Sequence, residues 1–320
     1  MRIRNIVWAG VLLAAAQSPF EEAQKAYDRS DYTKAVELLR AAVARDPRNA
    51  EAYLLMTKSH LELERFDAAV QSAQHAVAIS PGSSVYHLWL GKAYGEKADH
   101  SNWFSAMALA RKAHKEFETA VQLDERDFPA QQDLIEYYCS APGMLGGGED
   151  KANRQIAHLL TLDPAEGHYA RGNCRRQKKD FTGANEEFTL ALESGARAPD
   201  LIFDIGDYAL KQSQPERLLA VAEAGARVAP EDSRADFYRA AAYVLKREKL
   251  AEAADLLRAY LARAPLRTGY PRPGVAHEWL GRAFEARGDL EAARREYHAA
   301  LQADPRNKNA HEALRRLDKH

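Results

Sequence analysis

A chain of 320 residues has the length of about two ordinary domains, yet 60 Ala and 34 Leu against 26 Val, Ile and Thr combined favour helix throughout and leave little for a β-sheet. Hydrophobic residues at 46% and charged residues at 28% exclude an intrinsically disordered chain. With 45 basic against 46 acidic residues the formal charge is −1, so composition implies no nucleic acid or other polyanion as partner.

Arg2 and Arg4 precede an apolar run from Ile6 to Ala16 that closes on three alanines. A basic start, a short apolar stretch and a small-residue end predict a secretory signal peptide over residues 1–16. The run is shorter than the roughly 20 residues that span a bilayer. An additional apolar helix is the alternative reading. Cleavage after Ala16 would remove two arginines and leave a charge of −3. No Cys follows the run, which argues against a lipid anchor. The expectation is an exported protein, periplasmic or secreted from a bacterium, with no stable membrane insertion after cleavage.

Beyond this segment, Ser18-Pro19-Phe20-Glu21 reads as a capping box with Pro in the first helical position. The chain then repeats itself. Asp31-Tyr32-Thr33-Lys34-Ala35 with Ala42 and Asp46-Pro47 returns 34 residues later as Arg65-Phe66-Asp67-Ala68-Ala69 with Ala76 and Ser80-Pro81. The frame recurs in Asp180-Phe181, Ala184, Phe188 and Ala191, and in Gly288-Asp289-Leu290, Ala293, Tyr297, Ala300 and Asp304-Pro305. Upstream lie Leu90-Gly91 with Tyr94, and Trp279-Leu280-Gly281 with Phe284.

These copies resemble the tetratricopeptide repeat family over nearly all of the chain after residue 16. The resemblance implies an all-α solenoid of antiparallel helix pairs, coiled as a right-handed superhelix. In phase, the repeats fall at about 18–47, 50–81, 84–125, 128–164, 166–196, 199–230, 233–265 and 275–305, with a capping helix at 307–318. Gly91 and Gly281 let the paired helix approach. Ala35, Ala69, Ala113, Ala152, Ala184, Ala253 and Ala293 mark the crossing, and Leu39, Phe117, Ile156, Phe188, Leu257 and Tyr297 fill the space four residues on. Pro47, Pro81, Pro164, Pro230, Pro265 and Pro305 end second helices. The cap carries Ala310, Ala313, Leu314 and Leu317 on one stripe, to cover the last pair.

Three interruptions break the period. The third repeat is lengthened near Trp103 and Phe104, which are expected to pack beneath a longer second helix; a partner contact is the other reading. The fourth contains Gly146-Gly147-Gly148, where Glu149 stands in place of the Lys a phosphate loop requires, so the glycines imply a positive-φ turn, or at most a small anion nest. Residues 266–273 hold two prolines and a glycine and read as a surface connection. Cys139 and Cys174 read first as separate small core residues, with a disulfide as the alternative in an oxidising compartment; alone they cannot hold zinc.

No HExxH, GxSxG or kinase signature occurs, and no His stands with a carboxylate at metal-ligand spacing. The expected function is therefore non-enzymatic, without cofactor or metal: a scaffold that takes a protein or peptide on the concave face formed by the first helices, in the cell envelope. Register places Lys58, Lys92, Tyr169, Asn173, Arg176, Phe203, Asp207, Tyr238 and Arg282 on that face. Tyr169, Phe203 and Tyr238 fall at equivalent positions, either as an aromatic track or as padding between helices. The mixed charge suits a peptide better than nucleic acid. The two-carboxylate clamp by which some relatives grip chaperone tails is not supplied by Leu54-x3-Lys58, Leu88-x3-Lys92 and Tyr169-x3-Asn173. Alternatives are a self-assembling structural subunit, through the solenoid ends or Trp103-Phe104, and an enzyme with a site built on the repeat surface.

Overall fold

The computed structural model describes residues 18–265 and 269–318; the expected signal peptide and part of the 266–273 connection lie outside them. Among the described residues there are seventeen α-helices and no strand. They form eight consecutive pairs: α1 (Pro19–Asp28) with α2 (Tyr32–Arg45), α3 (Ala50–Glu62) with α4 (Phe66–Ile79), α5 (Ser84–Asp99) with α6 (Trp103–Leu123), α7 (Phe128–Ser140) with α8 (Glu149–Leu162), α9 (Pro164–Gln177) with α10 (Phe181–Glu193), α11 (Pro199–Lys211) with α12 (Pro215–Val228), α13 (Arg234–Lys246) with α14 (Leu250–Arg263), and α15 (Pro273–Arg287) with α16 (Leu290–Ala303). The final helix, α17 (Lys308–Leu317), buries Ala310, Ala313, Leu314 and Leu317, the stripe expected of a solenoid cap.

The ends of the helices follow from local chemistry. Ser18 and Glu21 form the capping box, with Pro19 at the first helical position. Asp31, Asn49, Asn102, Asp127, Asp163, Asp180, Asp289 and Asn307 each accept a backbone N–H from the first turn of the helix they precede. Pro164 corrects one boundary: it opens α9 rather than trailing α8, because its missing N–H costs nothing in a first turn. Inside six of the pairs, a residue in the left-handed region makes the reversal: Ser30, Glu64, Lys179, Ser213, Arg247 and Gly288, with φ between 53° and 82°. Only the last is glycine.

Packing within a pair rests on a small residue facing a large one. A Cβ added to Gly91 would stand 2.5 Å from the Phe117 ring; Gly172 with Phe188 and Gly281 with Tyr297 repeat the arrangement at 2.6 and 2.7 Å. The seven crossing alanines are all buried, as are the six large residues that follow them. Four residues before each of those glycines sits a histidine that reaches across its own pair. His87 Nδ1 lies 2.6 Å from Glu116, His168 Nδ1 2.8 Å from Glu187 and His277 Nδ1 2.8 Å from Glu296. In the fourth pair Gln131 and Gln155 bond to each other at the same place. These histidines join helices inside a repeat.

The two cysteines are joined, correcting the expectation of separate core residues. Cys139 on α7 and Cys174 on α9 form a disulfide with Cα atoms 5.6 Å apart. The packing of consecutive first helices brings residues 35 apart in sequence to bonding distance. A loop of that length, closed in the unfolded chain, corresponds to about 3–4 kcal/mol of stabilisation in the chain-entropy account.

Two outcomes follow from these features. Gly288→Ala should lower stability by about 1 kcal/mol and Lys179→Gly raise it by about 0.5 kcal/mol, read from urea unfolding, because a side chain is strained at that φ while glycine is not. A lowered stability in Lys179→Gly would contradict the assignment. His60, 4% exposed, is the second case. Burial, aided by the charges of Arg65 and Arg40, lowers its pKa from 6.5 to about 4, so the folded state keeps it neutral where the unfolded state protonates it. Its contribution is complete above pH 6.5 and is lost as pH falls towards 4, by at most about 3 kcal/mol. His60→Gln should flatten the acid limb of a melting-temperature profile between those values; an unaltered slope would refute it.

Candidate concave binding surface

First helices chiefly line the two groove cavities. The larger, ≈ 750 Å³, is bordered by Leu61 of α3, by Trp89, Lys92 and Glu96 of α5, and by Asp133, Glu136 and Tyr137 of α7. Arg272, which just precedes α15, also borders it, so the coil brings the far connection over the early repeats. Trp89 is the centre of this surface. Lys58 Nζ lies 4.6 Å and Lys92 Nζ 5.6 Å from its ring centroid, a cation–π arrangement spanning two repeats. Lys92 also forms an ion pair with Asp133 of the following first helix, at 2.8 Å. Partial burial and the neighbouring Lys92 charge lower the Lys58 pKa, while desolvation raises those of Asp133 and Glu136 against the pull of Lys92. Glu136 accepts a bond from Gln177 of α9, at 2.9 Å. The result is a half-buried wall of alternating charge around one indole.

The second cavity, ≈ 580 Å³, lies between α11, α15 and α17, with Lys211, Trp279, Arg282 and Arg316 on its border. The Arg282 guanidinium stacks on Trp279, 3.8 Å from its centroid. Beside it, Glu285 accepts bonds from Tyr297 Oη at 2.6 Å and from Arg316 Nη2 at 2.8 Å. Buried Glu278 is satisfied by Asn307 and Asn309, at 3.1 and 3.0 Å. A Trp–Arg couple here thus answers the Trp–Lys couple of the first cavity.

Between the cavities the expected residues divide. Tyr169 is half-buried, rests against Phe188 and donates its hydroxyl to Asp204; burial and the Asp204 carboxylate hold that hydroxyl protonated. Asn173, Arg176 and Asp207 are also half-buried on first helices. Phe203 and Tyr238 do not face the groove: they are 2% and 0% exposed. Phe203 fills the space above Gly225, and the Tyr238 ring sits over Gly206 with its hydroxyl 2.7 Å from Asp207. They pad neighbouring helices, and no aromatic track exists. Burial raises the Asp207 pKa although Tyr238 opposes it.

Trp89 and Asp133 border the groove at positions that the register of Lys58 and Lys92 does not mark. In α5 the position three before Gly91, Leu88, is buried, while the one two before it, Trp89, borders the cavity. One residue is about 100° of helix. The i, i+3 spacing of Trp89 with Lys92 and of Trp279 with Arg282 was the available signal.

Two other irregular segments are closed internally. Gly146 and Gly148 adopt φ of 94° and 139°, the positive-φ turn expected. The N–H groups of Gly146, Gly147 and Gly148 bond to Gly143, Pro142 and Tyr138 carbonyls, so none of the three glycines offers a donor to an anion. Arg234 pins the later connection. It is held by Asp232 at 2.7 Å and Asp200 at 3.1 Å, lies 4.2 Å from the Phe203 ring and 4.4 Å from that of Tyr270, and bonds the Gly269 carbonyl. By contrast, Trp103 and Phe104 do not pack beneath α6; they stand in solvent.

Among the described residues, no group of three or more His, Cys, Asp or Glu side chains is placed to hold a metal ion. No described helix is long and apolar enough to cross a membrane.

A profile described as tetratricopeptide repeat matches residues 20–84 and 245–308. Intraflagellar transport protein 70B of Mus musculus is 26% identical over 212 residues, covering 63% of this chain and 30% of that protein; the Bos taurus protein is 24% identical over 180 residues, covering 54% and 25%. This chain therefore spans less than a third of the length of those relatives. A thermophilic TPR protein of Thermus thermophilus superposes with TM-score 0.47 at 20% identity, over 58% of this chain and 94% of that one. A tetratricopeptide repeat protein of Parabacteroides merdae gives 0.40 at 14%, over 94% and 98%.

Exchanging Phe203 for Ala should lower stability by about 3–5 kcal/mol, as for other buried aromatics. Tyr169→Ala, at a half-buried site, should lower it by less than half as much. Chemical denaturation of the two variants checks this, and equal losses would return Phe203 to the surface.

Proposed function

We propose that this tetratricopeptide-repeat solenoid is an exported scaffold of the bacterial cell envelope, holding an extended peptide segment of a protein partner in its concave groove. The observation that carries the reading is Trp89, flanked by Lys58 and Lys92 and bordered by Asp133 and Glu136. An indole supplies a flat apolar platform, and charges of both signs around it favour a peptide with an apolar or aromatic side chain between polar ones. Arg282, half-buried and stacked over the buried Trp279 ring, offers a second contact point further along. Contact at two separated places selects for segment length as well as composition.

Export is supported by two independent features. The basic start and apolar run to Ala16 have the form of a secretory signal, and a Cys139–Cys174 disulfide persists in an oxidising compartment. The mechanism is presentation of a preformed surface, with no covalent chemistry.

Photo-crosslinking in intact cells tests the whole reading. A photoreactive residue in place of Trp89 or Arg282 should yield discrete adducts in the envelope fraction, whereas one at exposed Gln71 of α4 should not. Lys58→Glu should reduce the adduct from position 89 by about tenfold. Equal labelling from Gln71 would remove the groove assignment, and recovery of the chain solely from the cytoplasm would remove the export assignment.

A further inference from the structure

The repeats provide their own control for the outer surface, because eight second helices occupy equivalent places. In seven of them the first buried residue stands within the first four positions, as with Ala35 in α2 and Ala253 in α14. In α6, which begins at Trp103, the first buried residue is Leu109. The helix is also 21 residues long, where the other seven have 13 or 14. Its opening turn, residues 103–105, therefore projects beyond the core, which Ala106 is the first to touch.

On that projection Trp103 and Phe104 are 67% and 79% exposed. Further along, Arg111, Lys112 and Lys115 are exposed, and no exposed residue of α6 is a carboxylate. Its two glutamates are half-buried and engaged, Glu116 by His87 and Glu118 by Tyr138 and His114. Every other second helix exposes at least one carboxylate, among them Glu37, Asp67, Glu193 and Glu252. Phe104, Arg111 and Lys115 share one stripe at spacings of seven and four.

We infer that the outer face of α6 docks the protein on an anionic lipid surface, with Trp103 and Phe104 entering the interfacial layer and Arg111, Lys112 and Lys115 meeting headgroup phosphates. Indole is suited to headgroup depth, and a short basic stretch gains from the negative surface potential. The helix N-terminus places a partial positive charge at the same end. A convex aromatic ridge fits a deformable layer, whereas a protein would need a complementary pocket. Neither ring lines one of the groove cavities, so this face is separate from the proposed peptide groove.

Flotation of the full chain with phosphatidylcholine vesicles, with and without one third phosphatidylglycerol, tests the assignment. Binding should require the anionic lipid and weaken with added salt. Trp103→Ala with Phe104→Ala should reduce it about tenfold, and Lys112→Gln and Lys115→Gln each about fivefold. Circular dichroism should be unaltered, since none of these side chains is buried. Residues 6–16 are the same in every variant, so the differences report α6 rather than that apolar run. Absence of binding, equal binding to zwitterionic vesicles, or full binding by the aromatic variant would overturn the inference. So would dimerisation in light scattering that the aromatic substitutions abolish while vesicles are not bound, which would give the face to a second copy of the chain.

Discussion

Every other feature of this structure depends on how closely two helices of a pair can approach. Gly91, Gly172 and Gly281 leave no side chain where an aromatic ring from the partner helix must lie, and the crossing alanines remove bulk on the other side. An isolated pair would still expose the opposite face of each helix. Stacking buries it, so stability is carried by interfaces between neighbours rather than by a central core. The positions left over are those facing the groove and the solvent, and they alone are free to carry recognition chemistry.

Polar groups within this framework are mostly spent on holding it together. The three histidine–glutamate contacts join first to second helices, Arg234 fastens the connection between α14 and α15, and the glycine turn closes on its own carbonyls. The disulfide acts at the next level, between consecutive first helices. Against that background the Trp89 surface and the Arg282 side chain over Trp279 differ in kind. Their cations lie over indole rings and remain accessible from the groove, in a setting dry enough to lower the Lys58 pKa.

How far the sequence could be read follows from which constraint acts at each position. Columns of Ala and aromatic residues at a 34-residue period are imposed by packing, and Ala35, Ala69, Phe117 and Tyr297 occupy the places their spacing indicates. The groove edge is set by helix rotation, to which periodicity is blind: Phe203 and Tyr238 share a register position with Tyr169 yet turn into the core, because Gly225 and Gly206 open space for them. The cysteine pairing depended on the separation of consecutive first helices, a distance that repeat length alone does not supply. Trp103 and Phe104 misled for the opposite reason, since apolar residues were assigned to a core whose first buried residue in α6 is Leu109.

The three interruptions of the period differ in what each leaves unsatisfied. The glycine run satisfies its own N–H groups, and the described part of the later connection is gripped by Arg234, Tyr260 and Tyr270 through Asp232, Gly269 and Pro271. The extension of α6 does neither. It holds two aromatic rings in water, where their burial elsewhere would be favourable by roughly 1.5–3 kcal/mol per large side chain. A repeat protein has seven other copies showing how that helix is built without the extension, so its residual cost is not required by the fold. That unspent free energy is what sets the α6 ridge apart from the other two departures as a surface for recognition.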